Sequence, residues 1–394
     1  MGGLVAVSDV HEGVNFPYRL DPETGVSARA LDLHRNFVRS AQYAIEQRAD
    51  VFVVTGDLFD RTHVSPTFRE QVRRDVIEPL GEAGIPTWLI AGNHDQPRMW
   101  ARGTSLEDFR GYPHVEVFRE PAVREVTVEG ETVTALLLPY LHPEQILDRV
   151  RERLGEDVPR EQIFELGRRM LEEWMRRRTD EARGAHILLF GHYYVEGAQV
   201  RSTASPEVLP GEFSLRLAGI PEAVELGIFG HIHLHQTVGD RVVYVGAPER
   251  VDWGEEGDDK GFLTYRPAES WAFHPLPTRP MMKVEVDLGG EDATESILNA
   301  LPEDLEGALV RLHVRLDEGQ RQRIDETALA RRLSGAFHYD VGYRYREREK
   351  VAAPEFTLDP LRLFREYIEL NYADHARMED ILRDGEEFLR EVLG

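Results

Sequence analysis

The sequence predicts an α/β fold: a mixed sheet or two stacked sheets between helices, then a small α/β module and a helical tail. Three observations carry this. Up to about Pro280, short apolar β-rich runs alternate with amphipathic helical stripes, and most of the runs end in polar residues. Helix-linked strands come early and hairpin-like strands late, a mixture expected of a mixed or doubled sheet. Pro275, Pro277 and Pro280, and later Ala352–Pro354, break the pattern twice.

The elements follow in order. Leu4–Ser8 is apolar and ends in Asp9. Ser27 stands where it can cap a helix to about Arg48, with Leu31, Val38, Ala41 and Ile45 on one stripe. Val51–Thr55 reads as a buried strand ending at Gly56-Asp57. A helix near Thr67–Gly81 precedes strand Thr87–Ala91, which ends at Gly92-Asn93-His94. Thr132–Leu138 is a strand and Glu161–Arg183 a long charged helix. His186–Phe190 ends at Gly191-His192, and Leu226–Phe229 at Gly230-His231. Arg241–Val245 and Gly261–Tyr265 are late strands. Beyond the first break come strand Lys283–Val286, helix Ala293–Leu301, strand Ala308–Arg315, helix Thr327–Leu333 and strand Asp340–Arg346. The tail reads as helices Asp359–Leu370 and His375–Val392. Their apolar stripes are Leu361, Phe364, Ile368 and Leu382, Phe388, Leu389, Val392. The expected divisions are 1–279, 280–351 and 352–394.

A chain of 394 residues suffices for two or three domains. Hydrophobic residues at 41% and charged residues at 30% fit a soluble globular protein. No apolar run reaches the roughly 18–20 residues of a membrane span, so no membrane association is expected. The strand at Leu4 leaves no room for a signal peptide. The absence of cysteine excludes disulfides and thiolate metal sites, and a cytoplasmic location is expected. A net charge of −24 argues against a general polyanion binder. Contact with nucleic acid must then use local basic patches or bridging metal ions.

Seven potential metal ligands sit in five clusters: Asp9-x-His11, Asp57, Asn93, His192 and His231-x-His233. Two divalent ions sharing one carboxylate need about this many oxygen and imidazole ligands. Asp57 is placed to bridge both ions. Asp9, His11 and a distant histidine would complete one shell, and Asn93 with two further histidines the other. His94, next to Asn93, is positioned to protonate a leaving oxygen, and Asp95 to hold His94 in one orientation. Arg61 and Arg250 lie near clusters and are candidates for holding phosphate. Tyr193 and Tyr194 either stack on a base or cover the site, and cover is favoured. Taken singly, each histidine is more often a surface or hydrogen-bonded residue. His34, His63, His114, His142, His235 and His274 carry no motif and are read that way.

As an ordered set, Asp9-x-His11, Gly56-Asp57, Gly92-Asn93-His94-Asp95, Gly191-His192 and Gly230-His231-x-His233 resemble the calcineurin-like metallophosphoesterase superfamily. That resemblance implies a two-sheet sandwich flanked by helices. It assigns Asp9, His11, Asp57 and His233 to one ion and Asp57, Asn93, His192 and His231 to the other. His94 becomes the general acid or a transition-state donor. Gly56-Asp57-Leu58-Phe59-Asp60, Gly246–Arg250, Asp252-Trp253-Gly254-Glu255 and Lys260-Gly261-Phe262 are similar to the SbcD-type nuclease subunits of SbcCD DNA double-strand-break complexes. This implies two Mn2+ ions, a small capping domain, a nucleoid-associated role and a homodimer. Dimerisation would run through Thr67–Gly81 and the stretch after His94. It also implies C-terminal helices that dock on an SbcC-type, SMC-like ATPase, where Pro360-Leu361-x-Leu363-Phe364-x-x-Tyr367 carries the likeness. The chain departs from the family in its long Gly13–Ala28 segment, in His235, and in Asp60 where some members have a histidine.

The function expected is a Mn2+-dependent DNA nuclease, 3′–5′ exonuclease on duplex and endonuclease on single strands. The stretch Arg344, Arg346, Arg348 and Lys350 is a candidate backbone contact. The alternative on the same fold is a phosphoesterase of nucleotides or other small phosphodiesters. A non-catalytic scaffold for an ATPase is disfavoured because all seven ligand positions and His94 are filled.

Overall fold

The computed structural model describes residues 2–16, 18–99, 102–154, 159–200, 213–289, 292–317, 319–346, 359–372, 375 and 377–393. Two six-stranded sheets form the body. In spatial order the first holds Ser270–Pro275, Gly261–Arg266, Leu4–Val7, Val51–Val54, Thr87–Ile90 and Val115–Phe118. The second holds Gln236–Val238, Val242–Tyr244, Leu226–Gly230, His186–His192, Glu131–Leu138 and Ala122–Val128. Both are mixed: Leu4–Val7 pairs parallel with Val51–Val54 and antiparallel with Gly261–Arg266.

Alternating side chains explain why the strands read as unbroken apolar runs. Leu4, Ala6, Val51, Val53, Trp88 and Ile90 pack with Val133, Leu137, Leu188, Phe190 and Ile228 between the sheets. Val5, Val7, Phe52, Val54 and Leu89 point the other way, onto Phe37, Ala41 and Ala44 of helix Ala28–Gln47. The second sheet turns Leu136, Leu138, Leu189 and Phe229 toward helices Pro143–Leu154 and Arg160–Glu181, through Ile146, Val150, Leu171 and Met175. A strand buried on both faces needs no polar alternation. Burial of this kind is worth about 1.5–3 kcal/mol per large aliphatic side chain. It fixes the strand ends on which the polar clusters sit.

Several local details depart from expectation. The helix near residues 67–81 is Pro66–Val72 and Glu78–Glu82, joined by a π-helical turn over Arg73–Ile77. Ser27 occupies the N-cap position of its helix, but its hydroxyl makes no capping bond. Strands Val115–Phe118 and Ala122–Val128 and helix Pro143–Leu154 add to the elements read from sequence.

The module after Pro280 is a parallel sheet of Met281–Asp287, Leu309–Leu316 and His338–Tyr345. Helices Ala293–Ala300 and Glu326–Arg332 cover it around Ile297, Val310, Leu312 and Leu329. It is tied to the sandwich by Arg279, whose Nε and Nη2 donate to Asp32 at 2.7 and 3.0 Å. The Arg279 guanidinium also lies 3.9 Å over the Phe337 ring. The tail helices are Pro360–Tyr372 and Met378–Leu393. They pack against each other where Phe364 meets Gly385. Leu370 remains 85% exposed, and Tyr367, Phe388 and Val392 are also exposed. Arg348, Lys350 and Ala352–Pro354 lie outside the described residues. Among the described residues no helix is long and apolar enough to cross a membrane.

Candidate metal centre and cleft

The C-terminal ends of five parallel-paired strands deliver the polar clusters to one edge of the sandwich. In the first sheet Val7 pairs with Val54, so the loops carrying Asp9 and Asp57 leave side by side. In the second sheet Gly230 pairs with His192, which aligns His192 with His231. The turns are tight. Asp9, His11, Asp57 and His231 all have positive φ, four of the seven described non-glycine residues that do. Backbone strain of this kind concentrates at functional sites. Gly56 and Gly92 allow the close approach. A Cβ on Gly56 would lie 2.0 Å from His192 Nδ1, and one on Gly92 2.1 Å from Asp57 Oδ1.

The donor atoms converge. His11 Nε2 and His233 Nε2 are 3.0 Å apart. His192 Nε2 lies 3.0 Å from Asp57 Oδ2 and 3.1 Å from Asn93 Oδ1. His231 Nδ1 lies 2.9 Å from the same Asn93 oxygen. Asp9, His11 and His233, and separately Asp9, Asp57 and His192, bring ligand atoms within 4.8 Å of one another. Partners behind the rings decide which atoms face inward. His192 Nδ1–H donates to the Thr55 carbonyl at 2.8 Å. His233 Nδ1–H donates to Glu255 Oε1 at 2.8 Å. In the neutral form of each ring, Nε2 then carries a lone pair aimed at the other donor atoms. Ligands about 2.1 Å from one ion stand roughly 3 Å apart, so this donor set fits divalent cations.

Electrostatics agree. Burial would raise the Asp57 carboxyl, but His192, His94 and His11 outweigh it and hold it well below the usual range. Burial lowers His11, which favours its neutral, ligating form. His192 is pushed up to about 9: burial opposes the rise, and the Asp57 carboxylate outweighs it. A cation in place of that proton would serve the same carboxylate.

A calcineurin-like phosphoesterase family model matches residues 4–235, more than half of the chain. The chain belongs to the calcineurin-like phosphoesterase family. It is thus a metal-dependent phosphoesterase of a family whose centre is dinuclear, and the two-sheet sandwich is that family's fold. It is 27% identical over 355 residues to the DNA double-strand break repair protein Mre11 of Archaeoglobus fulgidus, covering 82% of this chain and 71% of that one. It is 25% identical over 222 residues to the SbcD component of the SbcCD nuclease of Bacillus subtilis, covering 54% of each. The Mre11 of Aeropyrum pernix is 24% identical over 327 residues, covering 79% of this chain and 69% of that one. The chain thus matches about half the length of the Bacillus relative.

Within this phosphoesterase, His94 sits beside the donor cluster, its ring 4.8 Å from that of His11. Its Nδ1–H donates to the Asp60 carbonyl at 2.8 Å. Burial opposes protonation of His94, but the Asp57 charge and the Asp60 carbonyl outweigh it and raise the pKa. Asp95 does not hold His94. Its buried carboxylate accepts from the backbone N–H groups of Leu58 (3.1 Å), Phe59 (2.9 Å) and Gly92 (3.1 Å). It therefore knits the Asp57 and Asn93 loops together from behind. Burial and the Asp57 charge push it up to about 7, against the Phe59 and Gly92 N–H groups and His192.

The two arginines differ. Arg61 is exposed, pairs with Asp60 at 3.1 Å, and lines an open cleft with Asn93, His94, Arg98, Tyr140 and His142. Arg250 is not available to phosphate. Its guanidinium donates to the carbonyls of Glu255 (3.1 Å), Arg279 (3.1 Å) and Asp258 (2.9 Å). Tyr193 is not exposed to stack on a base; its ring stacks instead on Tyr140. It is fully buried, with its hydroxyl donating to the Pro139 carbonyl at 2.7 Å. Of the histidines without a motif, His34 bridges Glu12 (2.7 Å) and Asp75 (3.0 Å). His235 stacks on Phe273 at 3.9 Å. Sequence reasoning gave no role to Glu255, Asp60 or Arg98. The only sequence signal for the first two was their place in the motifs of the family likeness.

Proposed function

We propose that this phosphoesterase is the nuclease subunit of a DNA double-strand-break processing complex. Its ligand set would be Asp9, His11, Asp57 and His233 for one ion and Asp57, Asn93, His192 and His231 for the other. Mn2+ is the favoured metal. When bound, two such ions supply Lewis acidity and a water-derived nucleophile for phosphodiester hydrolysis. His94 would carry a proton on Nε2 to the leaving oxygen, with Nδ1 held by Asp60. Asp95 would act as a positioning residue, holding the two ligand loops together. Arg61 and Arg98 would hold flanking phosphates along the cleft. The activities proposed are 3′–5′ exonuclease on duplex and endonuclease on single strands.

The observation that carries this reading is the convergence of seven donors and His94 in a chain similar to Mre11 and SbcD. We further propose a phosphoesterase domain over 1–279, a DNA-capping module over 280–351, and tail helices over 352–394. The exposed Tyr367, Leu370, Phe388 and Val392 suit docking on an SMC-like ATPase. A homodimer and a cytoplasmic, nucleoid-associated location belong to the same proposal.

One observation favours a second reading. The cleft beside His94 encloses about 600 Å³, within the range of small-ligand sites. A nucleotide or other small phosphodiester would fit it. Competition separates the readings: with Mn2+ present, cleavage of duplex DNA should resist a large excess of nucleotide. Cleavage of the nucleotide alone would favour the small-substrate enzyme.

A further inference from the structure

The buried turn behind His233 has features that the reaction as proposed does not use. Glu255 is fully buried. Its Oε1 accepts from His233 Nδ1 at 2.8 Å, and its Oε2 from Lys260 Nζ at 2.6 Å and Val251 N at 3.1 Å. Lys260, also buried, donates to the His233 carbonyl at 2.8 Å. One ion pair therefore holds both the ring and the backbone of a single donor residue. A buried ion pair is costly to desolvate and is sustained only when its hydrogen bonds are filled, as these are.

The neighbours of Glu255 on the same turn face the opposite way, toward the module after Pro280. The Trp253 ring lies under the Arg311 guanidinium, 4.3 Å from its centre. Glu256 Oε1 accepts from the Lys283 backbone N–H at 2.6 Å, and its Oε2 lies 3.7 Å from Lys283 Nζ. Lys283 and Arg311 are direct partners on adjacent parallel strands, so one rung of that sheet grips the turn. Arg250 braces it from a third side, linking the Glu255, Asp258 and Arg279 carbonyls.

We infer that Glu255 is a positioning residue for His233, and that the capping module sets its position through Trp253 and Glu256. The module and the metal centre are then mechanically linked. A shift of the Lys283–Arg311 rung moves the turn, and the turn moves the carboxylate that orients His233. This rests on the metal-ligand reading of His233.

The test is Mn2+ binding to the full chain without DNA, by calorimetry, with the electron paramagnetic resonance spectrum of bound Mn2+ recorded alongside. Thermal melting in chelator confirms that each variant is folded. Glu255→Gln keeps shape and removes charge; it should weaken one of two Mn2+ sites by about tenfold or more, as loss of a ligand's orienting partner does. Arg311→Ala, on the module and remote from the donors, should weaken the same site by a smaller factor and alter the bound-Mn2+ spectrum. Wild-type affinity in Glu255→Gln would overturn the positioning role. Weakened binding in Glu255→Gln with wild-type binding and spectrum in Arg311→Ala would overturn the link to the module. Should Glu255→Gln fail to fold, Arg311→Ala alone decides. A wild-type protein that binds Mn2+ but leaves DNA uncut would count against the nuclease reading, while these affinities would still be read.

Discussion

The backbone N–H of His94 donates to Asp57 Oδ1 at 2.8 Å. The proposed proton donor is thereby anchored on the carboxylate at the middle of the donor cluster, and any movement of one is felt by the other.

His94→Ala should abolish most DNA cleavage while sparing the donors. A lost general acid costs typically 10²–10⁴-fold, about 3–5 kcal/mol of barrier. The defect should shrink for an ester with a good leaving group, such as bis-p-nitrophenyl phosphate, which needs no protonation. Equal losses on both substrates would assign His94 to charge stabilisation. Mn2+ binding by calorimetry should be unchanged.

Asp95→Ala should damage the site through its scaffold. It leaves the buried N–H groups of Leu58, Phe59 and Gly92 without their acceptor. Unmet buried donors cost about 1–3 kcal/mol each, so denaturant unfolding should show a loss of several kcal/mol. Metal affinity should fall with it. A stable Asp95→Ala protein with normal metal binding would sink this role.

Arg61→Ala and Arg250→Ala should diverge. Arg61 is exposed at the cleft, so its loss should raise KM for DNA and lower the salt dependence of binding by about one unit of slope, with little change in melting temperature. Arg250 holds three carbonyls, so its loss should lower the melting temperature instead. Reversed effects would restore Arg250 as a phosphate contact.

The difference between these arginines shows where the sequence stops being legible. The donor clusters could be read because each follows an apolar strand, and strand ends in an α/β sheet converge on one edge. Arg250 and Glu255 stand in the same loop, yet Glu255 pairs with His233 and Arg250 reaches the Arg279 carbonyl, both supplied by other segments. Only tertiary packing pairs them. Tyr193 follows His192 directly, but strand alternation sends it to the core. Strand Ala122–Val128 is not legible in the sequence because it lies at a sheet edge, with Arg124 and Glu125 interrupting its apolar residues. Helix Pro143–Leu154 opens on a proline, which reads as a break as readily as a first helical residue.

His34 should make stability depend on pH. Burial lowers its pKa, but Glu12 and Asp75 outweigh that and raise it above 6.5. A raised folded-state pKa contributes stability that is full below the unfolded value of about 6.5 and is lost as pH rises through the folded value. Wild type minus His34→Gln, compared by melting temperature across that interval, should shrink with rising pH. A difference that grows with pH would show that the pair of carboxylates does not charge His34.

Leu370→Asp, at an 85% exposed position, should disrupt the proposed docking on an SMC-like ATPase without changing melting temperature or metal binding. Co-purification with the ATPase and an unassisted nuclease assay check this together. Retained co-purification would move the docking surface elsewhere.

The central claim, a metal-dependent DNA nuclease built on these strand ends, is tested most directly by hydrolysis of end-labelled linear duplex DNA. Purified wild-type protein and His94→Ala are assayed side by side with Mn2+ and with chelator. Loss of label that requires both Mn2+ and His94 is the expected result. Intact duplex beside rapid hydrolysis of a small phosphodiester would contradict it and favour the small-substrate enzyme.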